Sequence, residues 1–376
     1  MIEYAEIRSA ASREMIGIVD TANSIIWHRK YYGVGDFEIY APCTAENVSI
    51  LTVGNYVTRY DCKEIGIIET VNPTYSPNDG RMIVAKGRFA KSILDRRIIY
   101  NLSGYSVSPA ILRGNVEDAA RTLVTQNAIS CTFDSGRNIP VLMLGDKAGL
   151  TQKIIDETGA AAQKQVTHNN LLQYTDSLLE EYGMSAYCVL NDSLKLAYTV
   201  FAGADRSVGN SAGNEPVIFS QDFDNLLSSE YVYNESALKN TALIGGEGEG
   251  IERFTSILKN ASVTGLARRE IFVDASAQSK TYKDDSGTEQ TLTDAEYDAQ
   301  LKTLGNQELA KYAITETFDG AIDLTNGSFR YGTDFFLGDV VTVQDVEIGL
   351  YINPRILEIT EVQDEKGYQI NAKYGK

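Results

Sequence analysis

Residues 51–88 read LTVGNYVTRYDCKEIGIIETVNPTYSPNDGRMIVAKGR, and residues 335–376 read FFLGDVVTVQDVEIGLYINPRILEITEVQDEKGYQINAKYGK. With Gly54 laid on Gly338, Val57 meets Val341 and Asp61 meets Asp345. After a one-residue slip Ile65-Gly66 falls on Ile348-Gly349, and further on Ile68 and Val71 fall on Ile359 and Val362. The closing strands agree at Gly80, Ile83, Ala85 and Lys86 with Gly367, Ile370, Ala372 and Lys373, and Gly87 and Gly375 follow. Gly-Asn and Gly-Asp turn the chain into strands of alternating apolar residues. Ile-Gly within a strand marks a bulge or bend, which small barrels need to turn a corner. Asn78-Asp79-Gly80 and Glu365-Lys366-Gly367 are hairpin turns in which glycine accepts positive φ. The pattern predicts two copies of one β-barrel module.

Outward from the first copy, residues 16–41 read as a strand, a turn at Asp20–Ser24 and further strands around the turn at Gly33–Asp36. With the repeat they make a first barrel over 1–100, closed by a last strand or short helix from Leu94 to Ile99. The stretch 101–215 is a small α+β domain. Asn115 opens one helix, with Val116, Ala119, Ala120, Leu123 and Val124 on one face, and Thr167 opens a second that stops at Gly183. A hairpin around Asn191-Asp192-Ser193 follows. The polar loop 205–216 is a boundary, and 216–376 is a second barrel with a helical insertion near 276–311. That insertion holds a helix opened by the capping box Thr293-Asp294-Ala295-Glu296. Residues 16–41 have no counterpart in 216–330 by sequence. The expected fold is mainly β with α+β parts: two β-barrels and a small middle domain.

The 376 residues carry 51 acids against 34 bases, a formal net charge of −17. Wrapping nucleic acid needs clustered Lys and Arg, so this balance argues against it while suiting a wall past which DNA moves without sticking. No run of about 18 apolar residues occurs, so no helical membrane insertion is expected. The opening MIEYAEIRSAASREMIG has acids where a signal peptide needs bases, which predicts synthesis in the cytoplasm. Cys43, Cys62, Cys131 and Cys188 lie far apart and read as buried or free thiols.

The search for chemistry yields little. His28 and His168 sit in different predicted domains without ligand-spaced partners. Gly209-Asn210-Ser211-Ala212-Gly213 matches the G-x-S-x-G of a nucleophile elbow, but its flanks are polar loop and no histidine follows. Gly245-Gly246-Glu247-Gly248-Glu249-Gly250 is glycine-rich but acidic, and suits a close backbone approach better than a phosphate. Asp284-Asp285 lies in a turn with nothing to shift its pKa values. No catalytic, cofactor-binding or metal-ligating residue is assigned, no cofactor is expected, and the chain reads as no enzyme. The 22 tyrosines fit cores and subunit interfaces.

Ile26-Trp27-His28-Arg29-Lys30-Tyr31-Tyr32, then Gly35-Asp36-Phe37-Glu38-Ile39 and Pro42, resemble the opening of the siphovirus and prophage tail-hub family. So do Val53-Gly54-Asn55-Tyr56-Val57, Gly66-Ile67-Ile68 and Leu94-Asp95-Arg96-Arg97-Ile98. Gly332-Thr333-Asp334-Phe335-Phe336-Leu337-Gly338-Asp339 resembles its closing segment. The match is specific over 1–100 and 312–376. The resemblance implies that both barrels are tail-tube-like and that the chain is a baseplate hub in a virion tail or phage-tail-like particle: a homotrimer whose six barrels form a pseudo-hexameric ring around the DNA path. Its implied partners are itself, the tail tube or distal tail protein, the spike or tip protein and the tape-measure protein, with DNA passing unbound. The alternative is a tail-tip receptor- or carbohydrate-binding protein using the middle domain.

Overall fold

The computed structural model describes residues 2–78, 80–103, 106–155, 159–283, 289–322 and 329–375. In chain order the first strands are β1 (Ala5–Arg8), β2 (Met15–Val19), β3 (Ser24–Lys30) and β4 (Asp36–Pro42), followed by β5 (Tyr56–Thr58), β6 (Gly66–Ser76) and β7 (Gly80–Phe89). In β3 and β4 every second residue is buried, so Ile25, Trp27, Phe37 and Ile39 face one core. That period-two burial is what a sheet with one packed and one wetted face requires. The stretch expected to end the first barrel is a 3₁₀ helix, Ala90–Arg96.

The middle region holds α1 (Val116–Val124), β8 (Leu142–Leu144), α2 (Leu171–Glu181), β9 (Ser185–Leu190) and β10 (Leu196–Phe201). Asn115 caps α1 through its side chain, and the five residues predicted for its apolar face are all buried. The second helix begins at Leu171 and not at Thr167. Asn170 accepts from the Gln173 N–H as its cap, while the His168 N–H is already committed to the Ile99 carbonyl. Gly183 ends this stretch at φ +68°. The helices share one core with Tyr56, Ile65 and Ile67 of the first repeat.

Then come β11 (Leu226–Asn234), three strands β12 (Thr241–Gly245), β13 (Thr255–Lys259) and β14 (Glu270–Asp274), the helix α3 (Asp294–Ala310), and β15 (Thr315–Ile322). The chain closes with β16 (Thr342–Asp345), β17 (Arg355–Asp364) and β18 (Gly367–Gly375). Residues Tyr231–Thr317 form one compact unit, and Met1–Glu230 with Phe318–Lys376 form the other. In the smaller unit β12 lies between β13 and β14, and Tyr297 and Leu301 of α3 pack on Ala242 and Ile244. Thr293 and Glu296 form the predicted capping box.

The larger unit is organised by an eleven-stranded sheet in the order β11-β15-β18-β17-β3-β4-β7-β6-β5-β1-β2. The fold is mainly β, 43% strand and 19% helix. The duplication is written in its backbone hydrogen bonds. Gly54 N–H donates to the Ile68 carbonyl at 2.8 Å, and Gly338 N–H to the Ile356 carbonyl at 2.9 Å. Ile68 N–H returns to Asn55, and Ile356 N–H to Asp339. Directly after, each strand has a bulge: the pairing skips Glu69 between Ile68 and Thr70, and Leu357 between Ile356 and Glu358. Gly54 and Gly338 share φ +92°.

These bonds correct the sequence alignment in part. Ile68 corresponds to Ile356, and Val71 to Ile359, because the Asp339–Ile356 connection is longer than that from Asn55 to Ile68 and carries an extra strand, Leu350–Ile352. Gly66 lies inside β6 while Gly349 sits in a turn at φ +67°. The closing strands align as predicted from Ile83 to Lys86, but Gly87 corresponds to Tyr374. A counterpart to β3 and β4 also exists. Phe318, Gly320 and Ile322 are buried alternately in β15 as Phe37, Ile39 and Ala41 are in β4. Thus β11-β15-β18-β17 repeats β3-β4-β7-β6, and the smaller unit is inserted where the first copy has the short β3–β4 turn.

The matched glycines give a clean test. A Cβ on Gly338 would lie 2.1 Å from the Tyr31 ring, whereas on Gly54 it would meet nothing nearer than 3.7 Å. Gly54→Ala should cost about 1 kcal/mol from its positive φ alone. Gly338→Ala should cost on the order of 3 kcal/mol, since overpacking adds to the same strain. Urea unfolding of both variants measures the difference; equal losses would contradict it.

Candidate functional site

Side chains converge where the two copies join. β17 pairs antiparallel with β3, setting Ile359 opposite Arg29 and Glu361 opposite Trp27. Arg29 and Glu361 occupy positions on the buried face of their strands, so each charge enters a core and must find a partner there. Glu361 Oε1 accepts from Arg59 Nη2 at 3.0 Å and from the Tyr368 hydroxyl at 2.5 Å. Its Oε2 accepts from Arg59 Nη1 at 3.1 Å and from Arg29 Nη1. Arg29 Nε also donates to Glu64 at 2.7 Å, and Arg59 Nε to Asp61 at 2.8 Å. Trp27 and Tyr331 supply ring faces, each 5.5 Å from the Arg59 and Arg29 guanidinium carbons respectively.

Burial by itself would raise the Glu361 carboxyl. The Arg29 charge, then the Arg59 hydrogen bond and charge, outweigh it and bring the pKa from 4.5 down to about 2. The same carboxylates hold both arginines above their ordinary value against burial. The result is a clasp with one carboxylate shared between two guanidinium groups, one from β3 and one just beyond β5.

Beside the clasp runs a cleft of about 1030 Å³, bordered by Arg29, Cys62, Tyr187, Phe201, Arg206 and Tyr331 among others. The Cys62 thiol is pushed up to about 12 by burial and then by Glu64. It is therefore a thiol and not a thiolate nucleophile at neutral pH. On the opposite face of the sheet the charges pair across strands. Lys86 lies 2.6 Å from Glu38, Arg88 2.9 Å from Glu69 and 3.3 Å from Asp95. His28 sits between Asp36, 3.2 Å from Nδ1, and Glu358, 2.8 Å from Nε2.

The other predicted candidates are scattered. His168 occupies a left-handed position, φ +62°, ahead of α2. Ser211 lies in a loop tied by Asn210 to the Ser207 and Asn214 carbonyls, with neither strand before it nor helix after it. In the Gly245–Gly250 stretch, a Cβ on Gly246 would lie 2.7 Å from the Tyr297 hydroxyl, which accepts from the Glu247 N–H. This is the close backbone approach expected. All four cysteines are free. Asp284 and Asp285 lie outside the described residues. Among the described residues no cluster of His, Cys, Asp and Glu could hold a metal ion, and no helix is long and apolar enough to cross a membrane.

The clasp itself went unread in the sequence. Its signal was present as charge at inward positions: Arg29 two residues from Trp27, and Glu361 two residues from Ile359. Only the pairing of β3 with β17 shows that these are one site.

The fold is one found in solved tail proteins. It is shared by the tail protein from Neisseria meningitidis MC58, at TM-score 0.53 and 15% identity over 99% of this chain and 96% of that one. It is shared also by the 43 kDa tail protein of prophage MuSo2 from Shewanella oneidensis, at TM-score 0.56 and 10% identity over 99% and 98%. The chain belongs to the siphovirus ReqiPepy6 Gp37-like protein family, whose model matches residues 5–376. No curated protein matches it in sequence.

The clasp predicts a specific acid sensitivity. Because the Glu361 carboxyl titrates lower in the folded chain than in the unfolded one, its contribution is full above about pH 4.5 and is lost as pH falls toward 2. Glu361→Gln should flatten that acid limb of the stability curve. Arg59→Met, which leaves Glu361 short of donors, should cost about 3 kcal/mol at neutral pH. Denaturant titrations between pH 2 and 7 read both, and an unchanged acid limb in Glu361→Gln would refute the assignment.

Proposed function

We propose that the chain is the structural hub of a phage tail or phage-tail-like particle. It assembles as a homotrimer whose six modules form a pseudo-hexameric ring linking the tail tube to the tip or spike. The observation that carries this reading is the duplication itself: two copies of one four-strand module, joined edge to edge by β17 and β3 within one chain. Three chains that each carry two like modules supply six, which reconciles three-fold chain symmetry with a six-fold neighbour.

In this reading residues 1–100 and 216–376 each supply a module, and 101–215 the middle domain. The ring surrounds the DNA path, and its partners are a second and third copy, the tail tube or distal tail protein, the spike or tip protein and the tape-measure protein. No catalytic, metal or cofactor residue takes part, and the chain performs no chemistry of its own. The paired charges on the outer face of β3, β4, β6 and β7 support the conduit. Lys and Arg already held by carboxylates release few counterions to a passing phosphate backbone.

Native mass spectrometry of the purified chain and cryo-electron microscopy of the particle test this. Three copies at the tube–tip junction are expected; a single copy there, with a stable monomer in solution, would refute it.

A further inference from the structure

The acidic, glycine-rich stretch between β12 and β13 forms a braced loop. At its base the Gly246 N–H donates to the Phe254 carbonyl at 2.8 Å, and the Phe254 N–H to the Glu247 carbonyl at 2.9 Å. The Glu247 N–H donates to the Tyr297 hydroxyl, and the Glu247 carboxylate accepts from the Lys280 N–H, both at 2.8 Å. Beyond that base, Gly248 at φ +96° and Gly250 at φ +57° lead into a single 3₁₀ turn, Gly250–Glu252. The turn holds Ile251 out at 99% exposure, between Glu249 and Glu252. Both of those carboxylates are exposed and form no ion pair among the described residues. Single exposed apolar residues are ordinary. This one is carried on a loop whose freedom is already spent, so docking it costs little ordering.

The cleft beside the clasp has the complementary chemistry. Among the described residues that border it, seven are basic and four acidic, which reverses the chain's balance of 34 bases to 51 acids. Most of these bases are taken. Arg29 and Arg59 serve the clasp, while Arg206 lies 2.9 Å from Asp339, Lys91 2.7 Å from Asp176 and Lys30 3.6 Å from Asp36. Lys63 and Arg330 are exposed and form no ion pair among the described residues. Tyr187 and Phe201, with ring centroids 5.0 Å apart, and Phe336, 43% exposed, give the cleft an apolar wall. A phosphate calls for several donors converging on it, and the guanidinium groups here are mostly held by carboxylates. Two free bases beside half-buried rings suit an acidic peptide with an apolar side chain instead.

We propose that loop 247–252 of one copy docks in this cleft of the next. Ile251 lies against the rings, and Glu249 and Glu252 pair with Lys63 and Arg330. The proposal rests on the trimeric ring put forward above and adds a contact that orders its copies. Every chain carries both halves, opposite in charge. Because loop and cleft are different surfaces the contact runs head to tail, and three such contacts close a three-fold ring.

Carbodiimide coupling of the unaltered chain, mixed from isotopically light and heavy copies, reads the contact directly. Mass spectrometry should find Lys63 joined to Glu249 or Glu252 in peptides with one light and one heavy member. Ile251→Ser with Glu249→Gln and Glu252→Gln should weaken self-association about tenfold or more in sedimentation. Lys63→Glu with Arg330→Glu should do the same, and adding Glu249→Lys with Glu252→Lys to that pair should restore it. All of these side chains are exposed, so the variants keep the fold. A trimer that forms without the cross-link, and with unchanged strength in both sets of variants, would overturn the docking while leaving the hub reading intact. Loss of self-association in the cleft variants alone would assign the cleft to a different acidic partner and also overturn it. Absence of any self-association, in solution and in the particle, would overturn both readings.

Discussion

Everything in the larger unit hangs on one antiparallel contact, the pairing of β3 with β17. It joins strands more than three hundred positions apart in sequence, and without it the first and last modules would be separate sheets, each with a raw edge. Such a contact closes a very long loop, and its entropy must be met by what forms there. The ladder bonds are one part. The Glu361 clasp is the other, because it makes the contact specific. A one-residue slip would move Glu361 to the wetted face and leave Arg29 and Arg59 buried without their shared carboxylate. Buried ion pairs add little net stability over apolar packing, but they penalise wrong registers heavily. The clasp is therefore best understood as a register lock.

The two copies show which features a module must keep and which it can exchange. Both keep the left-handed glycine, its paired hydrogen bonds and the bulge one residue further on. These set the angle at which the short strand (β5 or β16) leaves the long one (β6 or β17). A bulge bends its strand and raises the local twist, so losing it would change the curvature of the whole sheet. What varies is filling. Phe37 packs where Gly66 and Gly87 leave room for its ring, whereas the second copy places Tyr374 and Phe318 there, with ring centroids 5.8 Å apart. The second copy therefore carries one more large ring at this place than the first.

Much of this was legible in the sequence, and the failures have particular causes. Turn glycines, caps and alternating apolar runs are local signals, so the hairpins, the Asn115 cap and the Thr293 capping box were readable. The alignment slipped between Gly54 and Ile68 because the compared connections differ in length, and only hydrogen bonds tell which isoleucine ends each one. The counterpart of β3 and β4 was invisible because the smaller unit separates β11 from β15 by most of a domain. Gly320, where the first copy has Ile39, weakened the remaining resemblance. The clasp was hidden for a simpler reason. A charge at an inward position announces that a partner exists, but not where in the chain it lies.

The distribution of charge deserves the same distinction between total and place. A net charge of −17 invites the picture of a uniformly acidic wall. The outer face of the sheet is different: Lys86, Arg88, Lys373 and His28 alternate with Glu38, Glu69, Glu358 and Asp36 across neighbouring strands. Cross-strand pairs of this kind are each worth little in water. In the ring proposed above, they would also temper the pull of each base on a passing polyanion. Each base is already neutralised at contact distance, so a phosphate gains nothing by displacing its carboxylate, and each acid is too well paired to act as a strong repulsive centre. A face that neither binds nor strongly repels is what a conduit needs, since either extreme would slow a long charged chain moving through it. In the ring proposed above, it is this pairing on the sheet and not the excess acidity of the chain that would serve passage.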